Sequence, residues 1–432
     1  MDIFFIVFSV IILLQSLLAL GAVIRFARYS LRPQPVRPNR YQPKAVVIVP
    51  CKGLEEDFDE NIRALFHQDY RDYEIIFVTE SASDPAYPAL SKLIKHFRRS
   101  AWLVVAGEAR GRGQKVHNLC AAIEMLNSID RRAEILVFAD TDARTNRQWL
   151  AELIAPLGDK KIGATTGFRW YLPARVTGWL GGSLSSILIS VWNASAVSLL
   201  GERSSFAWGG SMAIRRETFD KLGIKRRWQG AVSDDYVLTS AIHESGQSIK
   251  FVPQCLVPSY IDSTLKELLE FTTRQIRITR VYSPGVWKLA FVSHCLYNFT
   301  FFGGLLWFLI QSFKGAVNEA MALLLIGIFA LGAITGWVRS SVAAHLLKAD
   351  RERVHKYWWA YAMLGPAVSI VYLYNLIASA RTTRIMWRGI GYDLISPNET
   401  VIWHRPAQRS STDHSSRPAR QSKASVRSSS QK

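Results

Sequence analysis

The first hydrophobic feature of the chain is a run from residue 3 to residue 24 with no charged side chain. It is long enough to cross roughly 30 Å of hydrocarbon. A cleaved signal peptide is the competing reading. No basic segment precedes the run, however, it exceeds the core of a signal, and no small-residue cleavage site follows. An uncleaved anchor over residues 1–26 is expected. A basic, Pro-containing linker (27–43) comes next, and then the pattern changes. Short β-rich runs at 45–49, 74–78, 102–105 and 135–139 alternate with segments of helical period at 61–67, 87–97 and 115–126. This alternation predicts an α/β domain over 44–262, with a mostly parallel sheet flanked by helices. Ligands of such sheets bind outside the carboxyl ends of the strands, so charged residues just after strands are the first candidates for chemistry.

The uncharged stretch 177–201 lies inside this domain and is rich in Ser and Gly, which reads as a buried or membrane-facing part of it. Residues 265–281 read as an amphipathic helix, within an interfacial segment 263–285. Leu265, Leu268, Leu269 and Ile276 share one face, and Arg274, Arg277 and Arg280 repeat on another. By itself this is a basic membrane-surface helix without chemistry. Within 286–380 follow apolar stretches at 289–313, 320–338 and 357–380. The last is interrupted by Gly365-Pro366 and has basic residues on both flanks, so it is expected not to cross fully. Residues 381–404 read as a membrane-proximal basic segment, and 405–432 as a disordered basic tail.

The net charge of +19 raises the question of nucleic acid. Much of that charge flanks apolar runs or lies in the tail, where anionic lipid headgroups are the simpler partner, and no nucleic-acid motif is present. Arg25, Arg28, Arg32, Arg37 and Arg40 follow the anchor and predict an integral membrane protein with its catalytic domain in the cytosol, at the inner or plasma membrane if the source is bacterial. The cysteines at 51, 120, 255 and 295 have no metal-like spacing and are expected to be reduced thiols.

Several acidic positions stand where ligands would bind. Asp84, in Ser83-Asp84-Pro85-Ala86, reads either as an acceptor for a nucleotide base or ribose hydroxyl or as a helix cap ahead of Pro85. Asp140-Thr141-Asp142 follows an apolar strand and offers two carboxylates to a hard divalent cation, Mg²⁺ or Mn²⁺, whose shell diphosphate and water complete. Asp234-Asp235-Tyr236 opens a helix. Its acids are either partners of the helix dipole or, for Asp235, a general base that takes a hydroxyl proton. Lys115, at a helix start, can meet phosphate, and Gly209-Gly210-Ser211 permits close backbone approach to a ligand.

In this order, from about residue 45 to residue 282, these motifs resemble family 2 glycosyltransferases. They are most similar to the ceramide glucosyltransferase branch, which includes bacterial enzymes acting on hopanoids and other lipids. The resemblance rests on Asp84 in its Asp-Pro-Ala context, Asp140 after a hydrophobic strand, the triplet Asp234-Asp235-Tyr236, and Arg274-Gln275-Ile276-Arg277-Ile278 for an Arg/Gln-x-x-Arg-Trp motif. It implies a GT-A domain, a Rossmann-like nucleotide-diphospho-sugar fold, carrying transmembrane helices at both ends. It also implies roles: Asp84 on the uridine, Asp140 and Asp142 on the metal-bound diphosphate, Arg274 and Arg277 toward the diphosphate or the acceptor, and Asp235 as the base of an inverting displacement. Ile278 departs from the motif's Trp, and Asp234 stands where Glu is usual. The activity implied is transfer of a hexose from a UDP-sugar, UDP-glucose or a relative, to a membrane lipid hydroxyl at the cytosolic face. A processive polysaccharide synthase shares the acidic motifs, and a catalytically silent membrane scaffold is the alternative outside enzymes.

Overall fold

The computed structural model describes residues 2–32, 41–55, 57–97, 100–128, 133–175, 182–202 and 205–406. Part of the linker and nearly all of the basic tail therefore lie outside the described residues. The strands of the catalytic domain are β1 (Ala45–Pro50), β2 (Tyr73–Thr79), β3 (Ala101–Val105), β4 (Ile135–Ala139), β5 (Ile162–Pro173), β6 (Ser211–Arg215) and β7 (Ser248–Ile261). They form one seven-stranded sheet in the order β3-β2-β1-β4-β6-β5-β7. The first four are mutually parallel, β6 runs antiparallel to both β4 and β5, and β5 pairs parallel with β7. Helices Phe58–Phe66, Ala86–His96 and Gln114–Ser128 make the crossovers between the parallel strands. β2 and β4 are buried along their whole length, as expected of strands covered on both faces. This is the GT-A arrangement that the motifs imply.

Among the described residues three helices are long and apolar enough to cross a membrane: Ile3–Ser30, Pro284–Phe313 and Glu319–Leu346. Ile3–Ser30 lies along Glu319–Leu346, and Phe5, Ile12, Phe301, Met321, Leu325 and Ile328 form a cluster among the three. These helices are not tethered loosely to the enzyme. Val23 and Phe26 join the core beneath the sheet, and Tyr29 Oη donates to the Phe251 carbonyl of β7 at 2.6 Å.

The segment 357–380 divides at the expected break into helices Trp358–Met363 and Gly365–Arg381. The second packs against Leu265–Tyr282 and Pro284–Asn298. Beyond it, residues read from sequence only as a basic segment form a three-stranded antiparallel sheet: β8 (Arg384–Trp387), β9 (Ile390–Ser396) and β10 (Glu399–His404). This sheet docks on the catalytic domain, with Thr400 Oγ1 donating to the Gly230 carbonyl at 2.6 Å and Tyr392 Oη accepting from Gln114 N at 3.1 Å. Gly230 has φ +81°, and a Cβ there would run into the Asn398 carbonyl, so this approach needs glycine. Residues 282 and 384 both lie near the catalytic domain, and Gly365–Arg381, which leads into the sheet, packs back on Leu265–Tyr282.

The uncharged stretch 177–201 proves buried rather than spanning, as far as it is described. Ser183 caps helix Leu184–Ala194, which packs on β5, and Ser190 Oγ meets Tyr361 Oη at 2.6 Å.

Candidate active site

Residues at the carboxyl ends of β1, β4 and β7, with Arg169 and Tyr171 of β5, surround a cavity of about 680 Å³. Asp140 and Asp142 enter it because β4 ends at Ala139 and the next residues turn across the sheet edge. Lys115 enters from the first turn of Gln114–Ser128. Its Nζ lies 2.9 Å from Asp140 Oδ1 and 3.3 Å from Asp234 Oδ1. Gly113 N donates to the Ala231 carbonyl at 2.9 Å, which sets the start of that helix beside the loop leading to Asp234. Burial alone would lower the lysine pKa; the carboxylates of Asp140 and Asp234 outweigh it and hold Lys115 above the ordinary lysine range. Gly209 closes the arrangement. A Cβ there would stand 2.7 Å from Lys115 Nζ and closer still to the Asp234 carboxylate, so the ion pair requires a residue without a side chain.

The two acids of the triplet differ in exposure. Asp234 is 2% exposed, its Oδ2 has no hydrogen-bond partner, and burial pushes its carboxyl above the usual range despite Lys115. Asp235 is only half-buried. Its Oδ1 accepts from Tyr236 N at 2.8 Å and from Ser233 Oγ, and its Oδ2 accepts from Gly209 N at 3.3 Å. Ser233 also caps the helix Asp234–Glu244. Asp235 does not itself line the cavity; it borders it through Gly209 and the Lys115 cluster.

Asp142 pairs with Arg169 of β5, Nη1 to Oδ2 at 3.1 Å, a contact that no sequence motif announced. Burial raises the Asp142 carboxyl, Arg169 opposes, and Asp140 adds to the rise. Its Oδ1 is buried without a partner. An orphaned carboxylate oxygen beside a second carboxylate suits a hard cation, so Asp140 and Asp142 fit a Mg²⁺ or Mn²⁺ ion. Among the described residues no cluster of three or more His, Cys, Asp and Glu forms such a site, so phosphate and water would complete the shell.

The basic helix is more than a membrane-surface element. Along Leu265–Tyr282, which opens on a capping box of Thr264 and Glu267, the residues Glu267, Glu270, Phe271, Arg274 and Gln275 face the cavity. Arg274 lies over the rings of Phe271 and Trp387, at 5.5 and 5.6 Å, and its Nε has no hydrogen-bond partner. Burial pulls its guanidinium down to about 10, which leaves it cationic at neutral pH. Arg277 instead donates to the Arg384 carbonyl at 2.7 Å, and Arg280 donates to the Ser379 carbonyl; neither lines the cavity. Asp84 lies one loop away, where its Oδ1 accepts from Gly53 N at 2.8 Å and Ala86 N at 2.9 Å, the contacts of a loop clamp and cap. Ile278 is buried under the C-terminal sheet. All four cysteines are free.

The geometry separates the arginines by expected effect. Arg274→Ala should weaken nucleotide binding about ten-fold or more, the scale of a lost hydrogen bond from a charged group. Arg277→Ala and Arg280→Ala should cost less in the same titration calorimetry, because both side chains are engaged by backbone carbonyls. Equal losses for all three would show that the cavity-facing position of Arg274 is without consequence.

The chain is similar to known glycosyltransferases. A ceramide glucosyltransferase of Caenorhabditis elegans is 28% identical over 100 residues, covering 23% of this chain and 22% of that protein. The ceramide glucosyltransferase of Gibberella zeae is 37% identical over 81 residues, covering 17% and 15%. The chain thus spans less than a quarter of the curated relatives it matches. Among solved structures, the mannosyltransferase PcManGT from Pyrobaculum calidifontis, in complex with GDP-Man and Mn²⁺, is similar with a TM-score of 0.47 and 17% identity, over 87% of this chain and 98% of that one. The family model for glycosyl transferase family 21 matches residues 5–398, nearly the whole described structure, and the chain belongs to that family.

Proposed function

We propose that the protein is an inverting glycosyltransferase that moves a hexose from a UDP-sugar to the hydroxyl of a membrane lipid, at the cytosolic face. One observation carries this reading: Asp140, Asp142 and Arg274, whose buried Nε has no hydrogen-bond partner among the described residues, converge on one cavity, beside the Lys115–Asp234–Asp235 cluster. A diphosphate satisfies what that cavity leaves open. It gives Arg274 the anion it lacks, and it completes the shell of a cation held by Asp140 and Asp142. That cation, when bound, neutralises charge on the leaving nucleoside diphosphate.

The remaining roles belong to the chain's own residues. Asp235 takes the proton of the acceptor hydroxyl as its oxygen attacks the anomeric carbon. The long contact from Gly209 N is the one an incoming hydroxyl displaces at Oδ2. Lys115 pairs with Asp140 and Asp234 and holds both carboxyl groups in place. Asp84 keeps the role of uridine contact, through the carboxylate oxygen not used by the loop. Ile189, Ile261 and Phe271 give the lining an apolar part that suits a lipid chain, as the ceramide glucosyltransferase relatives favour. Arg25 and Arg28, both exposed at the end of the first apolar helix, support the cytosolic orientation.

Metal removal tests the donor half of this reading. UDP-sugar binding and transfer should require Mg²⁺ or Mn²⁺ and disappear in EDTA. Asp142→Ala should weaken UDP binding measured by equilibrium dialysis with metal present and change it little without metal. Unaltered activity in chelator would remove the cation from the mechanism.

A further inference from the structure

The aromatic residue that the Arg274–Ile278 motif lacks is delivered to the cavity from elsewhere in the chain. Ile278 is 6% exposed, does not line the cavity, and packs in a cluster with Val232, Ile385, Ile390, Tyr392 and Leu394. Trp387, at the end of β8, packs against that same cluster, is half-buried, and does line the cavity. We propose that Trp387 is the surface against which the transferred hexose stacks, so that the C-terminal sheet takes part in selecting the sugar. This rests on the UDP-sugar reading above.

Connectivity within the donor supports the assignment. The anomeric carbon is bonded directly to the β-phosphate, so the hexose must lie immediately beside whatever cation holds the diphosphate. Arg274 is the cavity-lining arginine with an unpartnered Nε, and Trp387 is the tryptophan whose ring its guanidinium covers, at 5.6 Å. A pyranose presents an apolar face of C–H groups, and an indole offers the large, rigid surface such a face packs on.

The indole is also held in advance of binding. Trp387 pairs with Ile390 across a tight turn, Arg388-Gly389, whose residues both have positive φ (51° and 79°). Arg388 pairs with Glu55 in the loop after β1. At the far end of the sheet Arg405 donates to Glu80 Oε1 at 2.6 Å and to the Ala109 carbonyl at 2.7 Å. Preorganisation of this kind reduces the ordering cost on binding.

The test compares UDP with UDP-glucose, UDP-galactose and UDP-N-acetylglucosamine by titration calorimetry of the full chain in detergent, with Mn²⁺. Wild type should bind UDP and favour one UDP-hexose. Trp387→Leu should weaken that UDP-hexose about 2- to 12-fold, the range of an aromatic contact, and leave UDP unchanged. Trp387→Phe should restore most of the loss. Should Trp387→Leu fail to fold, Trp387→Phe decides, with a smaller loss confined to the UDP-hexose. An equal loss for UDP and UDP-hexose, or no loss for either, overturns the proposal. A wild-type protein that binds UDP but discriminates among no hexoses overturns it too. Failure of wild type to bind UDP overturns the donor reading itself, and the role of Trp387 with it.

Discussion

Asp235→Asn should leave a folded protein that binds donor and transfers almost nothing. The substitution preserves shape, and the amide oxygen can still accept from Tyr236 N and Ser233 Oγ as the carboxylate does. What it removes is the ability to take a proton. Loss of a general base costs on the order of 10²- to 10⁴-fold in rate. Asp234→Asn is the informative companion. Asp234 is sealed against Lys115 at 3.3 Å and out of reach of an acceptor, so its amide should damage stability and donor binding more than the chemical step. Single-turnover rates with saturating donor separate the two. The assignment is falsified if Asp235→Asn retains more than about a tenth of wild-type turnover, set against that expected loss.

The second large effect is on stability. Lys115→Met removes the cation from between Asp140 and Asp234 and leaves a carboxylate that is 2% exposed without its partner. Breaking a buried ion pair from one side costs about 3–5 kcal/mol, because the remaining charge is neither solvated nor paired. The variant's response to pH has a definite sign. Without Lys115, burial raises the folded-state pKa of Asp234 further above its unfolded value. Below the wild-type folded value of about 7 Asp234 is protonated in both proteins, so its titration separates them only as pH rises through that value. Thermal unfolding in detergent should show a deficit of Lys115→Met that is smallest in acid and grows from neutral to alkaline pH. Adding Asp234→Asn should recover a large part of the loss on the alkaline side, since the uncompensated charge is gone. A double variant no more stable than Lys115→Met would mean that the pair contributes little.

Much of this site was legible before any coordinates. Apolar runs marked β1, β2 and β4, and the order of Asp84, Asp140, Asp235 and Arg274 carried the family. Pattern reading missed what depends on register or on distant segments. Arg169 reaches Asp142 because β5, beyond the antiparallel β6, runs alongside β7 at the open end of the cavity, and no motif encodes that neighbourhood. The C-terminal sheet was hidden by its charge. Arg381, Arg384 and Arg388 made the segment read as membrane-proximal, although Ile385 and Trp387, then Ile390, Tyr392 and Leu394, alternate with the period of a strand about an Arg-Gly turn. Arg277 illustrates the opposite limit. Its place in the motif pointed to the donor, whereas its side chain is engaged by the Arg384 carbonyl.

The central claim is transfer of one sugar to a lipid, and the product tests it most directly. A polymer-forming enzyme needs a polar passage across the membrane for its chain. Among the described residues the long apolar helices number three, and His294 within Pro284–Asn298 is held by Ser369 Oγ at 2.9 Å. Purified protein should be incubated with radiolabelled UDP-sugars, Mn²⁺ and total membrane lipid, and the products partitioned between organic and aqueous phases. The label should enter the organic phase and migrate as a discrete glycolipid. Label retained as high-molecular-weight, glycanase-sensitive material would contradict the account and identify a polysaccharide synthase instead.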